Sequence, residues 1–128
     1  MNTGKKAEEF VLAYFKRKGI TLAKAGKGEG CDFKSGPSVY VEVKGTTFES
    51  IAKLPFRYFT EKEYEKAQSC RDDGTQYEIH LIVDINASQP KHYIIPGDEL
   101  LDRGKAETVW SLSIRNEYEK FKVKNDVQ

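Results

Sequence analysis

The run Val39-Tyr40-Val41-Glu42-Val43-Lys44 constrains this 128-residue chain more than any other segment. A β-branched residue at every second position specifies a strand, and the period of two sends alternate side chains to opposite faces. Val39, Val41 and Val43 face a core. Tyr40, Glu42 and Lys44 face the other way, with Glu42 and Lys44 roughly 7 Å apart along the strand. Upstream, Ser35-Gly36-Pro37-Ser38 reads as a turn, so Cys31-Asp32-Phe33-Lys34 is the expected partner arm of a hairpin. With a three-residue loop around Pro37, Asp32 falls across the ladder from Glu42. Opposed residues share a face with Cβ atoms about 5 Å apart. Two carboxylates that close repel unless something cationic lies between them.

The rest of the chain supplies layers for that hairpin. Ala7, Phe10, Val11, Tyr14 and Phe15 recur at three- and four-residue steps, predicting a helix over about 5–18 that ends at Gly19. Ile20 to Ala25 reads as a short strand and Gly26-Lys27-Gly28-Glu29-Gly30 as a loop. Thr60 and Glu63 have capping-box spacing at the start of a helix over about 60–70. Tyr77 to Ile85 reads as a buried strand and His92 to Ile95 as a shorter one. Asp98 to Leu101 reads as a helical turn, and Val109 to Ile114 as a partly exposed strand with Trp110 in the core. Asn116 to Gln128 is charged and reads as helical or frayed. The order is mixed α/β, expected as one domain over residues 1–128.

Composition excludes several classes. Hydrophobic residues make up 38% and charged residues 32%, which is not a disordered composition. The apolar run Ile79 to Val83, broken by His80, is far short of a membrane span. Residues 1–20 lack the apolar core of a signal peptide. Two cysteines, Cys31 and Cys70, cannot build a disulfide scaffold or a four-ligand zinc site. A cytoplasmic, intracellular location is therefore expected. Residues 1–44 hold nine basic and five acidic residues, a surplus that suits phosphate contact.

Asp32, Glu42 and Lys44 carry the chemistry. Hard cations such as Mg²⁺ take oxygen ligands, and the carbonyl of Val43 can join the two carboxylates. A metal so held polarises a phosphoryl oxygen and acidifies a bound water, while Lys44 positions that water or steadies charge in the transition state. The competing reading is a surface hairpin with an ordinary Glu-Lys pair. Glu63 has two readings, a helix cap or a supporting contact near the site. His80 and His92 stand alone in their strands, without metal-ligand spacing. Lys5, Lys24, Lys27 and Thr46 are the candidates for the nucleic-acid backbone.

Several stretches occur in an order that resembles a known family. They are Gly4-Lys-Lys-Ala7-Glu8-Glu-Phe-Val11, Gly30-Cys-Asp32-Phe, Val41-Glu42-Val-Lys44-Gly45-Thr46, Phe59-Thr60-x-x-Glu63-Tyr-x-x-Ala67 and Tyr77-x-Ile-x-Leu-Ile-Val. The set resembles the PD-(D/E)xK nuclease superfamily and looks most like the NO VEIN C-terminal-type domain, over about residues 4–96. The resemblance implies a restriction-endonuclease-like α-β-β-β-α-β core with a central mixed sheet flanked by helices. It makes Asp32 and Glu42 metal-binding carboxylates, Lys44 the catalytic lysine and Glu8 the first-helix carboxylate. Glu9 is the rival to Glu8, which shares the face of Val11, Leu12 and Phe15. Cys31 stands where the superfamily usually has proline. The implied activity is Mg²⁺- or Mn²⁺-dependent cleavage of DNA, as a homodimer or within a larger nuclease or helicase complex. The alternative is a non-catalytic nuclease-fold module that binds nucleic acid or a protein partner in a defence, repair or viral assembly.

Overall fold

The computed structural model describes residues 2–50, 56–103, 105–106, 110–112 and 118–123; the side chains of 56–58, 105–106, 110–112 and 118 are not described. Two helices frame the fold. Helix α1, Thr3–Arg17, starts where the Asn2 side chain accepts the Lys5 N–H at 2.8 Å. Its apolar stripe buries Ala7, Val11 and Phe15, whereas Leu12 stays 36% exposed. Helix α2, Glu61–Asp73, opens with a complete capping box between Thr60 and Glu63 and closes at Gly74. Two orphan donors at the start of α2, the N–H groups of Thr60 and Glu63, thus find side-chain acceptors, as the spacing predicts.

Between and after the helices run β1 (Ala23–Lys24), β2 (Phe33–Ser35), β3 (Val39–Gly45), β4 (Phe56–Phe59), β5 (Gln76–Val83) and β6 (Lys91–Pro96). Helix α3 (Gly97–Arg103), β7 (Lys105–Ala106), β8 (Trp110–Leu112) and a 3₁₀ turn at Tyr118–Phe121 complete the order. The main sheet has the order β1-β2-β3-β5-β6. Only β3 and β5 run parallel, the crossover between them carrying α2; the other pairs are antiparallel. This is the expected α-β-β-β-α-β core with a mixed sheet and flanking helices. Strands β4, β8 and β7 form a second, three-stranded sheet; β8 lies within the strand expected over Val109 to Ile114, whereas β4 and β7 had no sequence signal.

The alternation of β3 sorts the two faces. Val41 and Val43 pack with Ala7, Val11 and Phe15 of α1. On the opposite face Tyr40 packs against the cluster that includes Ala67 and Cys70 of α2, with Ile79 and Leu81 of β5. Gly45 lets α1 come close: a Cβ there would lie 2.7 Å from the Ala7 Cβ. The strand expected over Ile20 to Ala25 shrinks to two paired residues, Ala23 and Lys24, set against the three-residue β2. The expectation of Trp110 as core falls on a side chain outside the described residues, as does much of 116–128.

His80 and His92 are not isolated, which corrects the expectation from their spacing. Nδ1 of His80 lies 2.8 Å from Nε2 of His92, and Nε2 of His80 lies 2.9 Å from Oε1 of Glu78. The β5–β6 register sets the two rings diagonally on one face, beneath Phe10, Tyr14 and Phe15 of α1. Burial, reinforced by the positive potential of His80 and Arg17, pulls the His92 imidazole down to about 3. No helix among the described residues is long and apolar enough to cross a membrane.

Candidate active site

Asp32 is placed by a tightly fitted approach. Gly30, two residues earlier, has φ +79°, and a Cβ there would fall 2.3 Å from the Lys62 carbonyl oxygen of α2. Only glycine fits so close a contact in that conformation. The Tyr77 hydroxyl at the start of β5 donates to the Gly30 carbonyl at 2.8 Å. Asp32 itself donates its N–H to the Val41 carbonyl and accepts the Ala25 N–H through its carbonyl, both at 2.9 Å.

The hairpin closes through Gly36-Pro37-Ser38, with Ser35 opposite Val39 and Phe33 opposite Val41. The three-residue loop is the expected one, but the ladder does not extend to Asp32 and Glu42: the Asp32 N–H bonds to the Val41 carbonyl instead. Regular strand pairing stops at Phe33, and the Asp32 side chain takes over. Its Oδ2 accepts the Val43 N–H at 2.8 Å. The carboxylate thus stands in for a strand carbonyl and is fixed against β3.

Glu42 and Lys44 share the α2 face of β3. Nζ of Lys44 lies 3.2 Å from Oε2 of Glu42 and 3.0 Å from Oε1 of Glu63. The ring centroid of the buried Phe59 is 4.9 Å from the same nitrogen. Phe59 ends β4, the strand without a sequence signal, so this aromatic wall of the site was not legible beforehand. Glu42 is only 4% exposed. Its depth contradicts the picture of an ordinary surface pair.

The electrostatics follow from crowding. Burial raises the Glu42 carboxyl far above its usual range; Lys44 opposes that shift, while Asp32 and Glu63 add to it. Burial likewise raises Asp32, against the pull of the Val43 N–H and Lys44. Burial on its own would lower the Lys44 ammonium, but Glu42 and Glu63 outweigh it and hold it above its normal value. Glu42 and Glu63 therefore pair with one ammonium, and the Lys44 charge also acts on Asp32. No grouping of three or more metal-ligating side chains is preformed among the described residues.

The remaining candidates sit further out. Glu8 is half-buried on α1, the helix on the opposite face of the sheet, and Glu9 is exposed. The structure brings together Asp32, Glu42 and Lys44; no hydrogen bond or ion pair among the described residues ties Glu8 to them. Lys24 is exposed on β1, near enough for its charge to act on Asp32. Lys5 and Lys27 are exposed. Thr46 follows β3 and its Oγ1 accepts the Phe48 N–H at 3.1 Å, so its hydroxyl already organises the loop. Cys31 packs against the α2-side core, and burial pushes its thiol up to about 11, the behaviour of a structural residue.

Comparison with known proteins adds three findings. The family model described as Protein NO VEIN, C-terminal, matches residues 4–95. No curated protein matches the sequence. The solved structure of Hjc, a Holliday junction resolvase from the archaeal hyperthermophile Archaeoglobus fulgidus, superposes with a TM-score of 0.64 at 15% identity. That superposition covers 95% of this chain and 91% of the resolvase, and it identifies the PD-(D/E)xK nuclease fold.

Proposed function

We propose, from the premise that this chain belongs to the NO VEIN C-terminal family and has a nuclease fold, that it is a metal-dependent nuclease acting on DNA. The observation that carries the reading is the junction of Asp32, Glu42 and Lys44 on one face of β3, with Asp32 locked to the Val43 N–H at 2.8 Å. In this reading Asp32 and Glu42 would hold Mg²⁺ or Mn²⁺ with the Val43 carbonyl, and Glu8, on the helix across the sheet, would join the site only through water. A divalent cation bound there supplies Lewis acidity to a phosphoryl oxygen and lowers the pKa of water.

The chain's own groups do the rest. Lys44, charged and held between two carboxylates, places a positive charge where the scissile phosphate gains negative charge. Glu42 would ligate as its carboxylate, the form that its pairing with Lys44 favours. Lys24 and Lys27, on the strand and loop that lead to Asp32, with Lys5 at the start of α1, bear on the phosphate backbone, as does Thr46 at the end of β3. The Holliday junction resolvase likeness supports DNA as the substrate class. A homodimer would suit cleavage of two strands.

A second reading, a nuclease fold retained for binding alone, is favoured by one observation: Glu42 is 4% exposed, and α2 closes over Lys44 through Glu63. The deciding experiment offers supercoiled plasmid, linear duplex, single strand, four-way junction and RNA with Mg²⁺, Mn²⁺ or EDTA. It runs beside a variant carrying Glu42→Ala and Lys44→Ala. Metal-dependent cutting that disappears in the variant supports the nuclease. A folded protein that binds DNA as well as its variant does, and cuts nothing, supports the binding module.

A further inference from the structure

We infer that Glu63 is a positioning residue, a clamp on α2 that holds the Lys44 ammonium against Glu42 and aims it at the reaction centre. The inference rests on the nuclease reading for its consequence, but on geometry for its substance. Oε1 of Glu63 accepts from the Thr60 N–H at 3.0 Å and from Lys44 Nζ at 3.0 Å. The Glu63 N–H in turn donates to the Thr60 hydroxyl at 3.1 Å. One carboxylate oxygen therefore closes the helix cap and grips the lysine.

A cap alone does not require this arrangement. A capping glutamate needs only to reach back to the N–H of its own N-cap residue. Here the side chain is 14% exposed and its oxygen faces the interior, where the lysine is 21% exposed. A lysine side chain has four rotatable bonds and a compact charge, so it does not hold one position unaided. Glu42 supplies one anchor, Glu63 the second and the Phe59 ring a wall. The Glu63 side-chain oxygen is in turn fixed by the Thr60 backbone N–H, a donor that alanine at position 60 would keep, so the first turn of α2 sets the lysine's position. The capping box joins the start of the crossover helix to the end of β3.

Two substitutions separate the clamp from the cap. Glu63→Gln keeps an acceptor for the Thr60 N–H, since glutamine also serves at this cap position, but removes the charge on Lys44. Thr60→Ala removes the cap hydroxyl and leaves the Glu63 charge. Two readouts are taken: the acylation rate of Lys44 relative to Lys62, mapped by peptide mass spectrometry, and steady-state cleavage of the substrate found to be cut.

Glu63→Gln is expected to raise Lys44 acylation several-fold and to lower kcat by about tenfold with KM unchanged, the size typical of losing an orienting partner. Glu63→Asp, one methylene shorter, should fall between. Thr60→Ala should lower the melting temperature yet leave acylation and kcat near wild type well below that temperature. Unchanged Lys44 acylation in Glu63→Gln overturns the clamp, and so does a Thr60→Ala variant that matches Glu63→Gln in both readouts. A wild-type protein that cuts nothing, while Glu63→Gln still exposes Lys44, removes the nuclease reading and leaves the clamp standing.

Discussion

The carboxylate of Asp32 accepts the backbone N–H of Val43 at 2.8 Å, a bond that ties the arm before β2 to the strand carrying Glu42 and Lys44. This bond separates two roles that one substitution would confuse. Asp32→Asn keeps an acceptor for Val43, so thermal unfolding should shift little. Asp32→Ala leaves the half-buried Val43 N–H without a partner and should cost about 1–3 kcal/mol in denaturant unfolding. Both variants should lose metal-dependent cleavage by at least about a hundredfold. Equal stability of the two variants would mean the bond contributes nothing.

Glu42 makes a prediction about pH. Its carboxyl titrates above the ordinary value of 4.5 in the folded chain, chiefly because it is buried. The folded state therefore holds a proton that the unfolded state releases. The associated stability is complete below about pH 4.5 and is lost as pH rises towards the folded value. In metal-free buffer, wild type should lose stability relative to Glu42→Gln between pH 6 and pH 9, read by urea unfolding of both proteins. A difference that stays flat across that range contradicts the assigned burial effect.

His92 carries the opposite sign. Burial lowers it from 6.5 to about 3, so the unfolded chain binds the extra proton. Stability is complete above pH 6.5 and falls as pH drops towards 3, with a slope of up to about 1.4 kcal/mol per pH unit. Glu78 and His80 on β5 and Arg17 and Tyr14 on α1 surround the ring system. The acid slope of the wild type should exceed that of His92→Gln in urea unfolding from pH 7 to pH 4. Matching slopes would place the acid sensitivity elsewhere.

Gly30 tests how Asp32 is delivered. An alanine there must adopt φ +79° and push its Cβ against the Lys62 carbonyl. Left-handed backbone alone costs a non-glycine residue about 1–2 kcal/mol. Gly30→Ala should therefore destabilise by at least that amount and reduce cleavage, whereas Gly36→Ala, with nothing within 4 Å, should suffer the backbone strain alone. Circular-dichroism melts and cleavage rates check both.

Much of the site was legible because it is local. The alternation in Val39–Lys44 separates the faces of β3, and the Gly36-Pro37-Ser38 loop fixes the β2–β3 register that leads Asp32 to the Val43 N–H. The Thr60 and Glu63 spacing announces the start of α2. What escaped depends on long-range placement. The Lys44–Glu63 contact needs α2 docked over β3. The His80–His92 pair needs the β5–β6 register. Strand β4 has no alternating pattern in its four residues and gains its place by pairing with β8, so Phe59 came into the site unannounced. Ile20 to Ala25 looked like a full strand because apolar content does not reveal that its partner β2 is only three residues long.

The most direct test of the central claim is Mn²⁺ binding to the apo-protein by titration calorimetry, beside Asp32→Asn. The account predicts saturable binding to the wild type and affinity at least about tenfold weaker in the variant, as expected when a ligating carboxylate is lost. Equal affinity in both proteins, or no binding to the folded wild type, would contradict a metal centre built on Asp32 and Glu42.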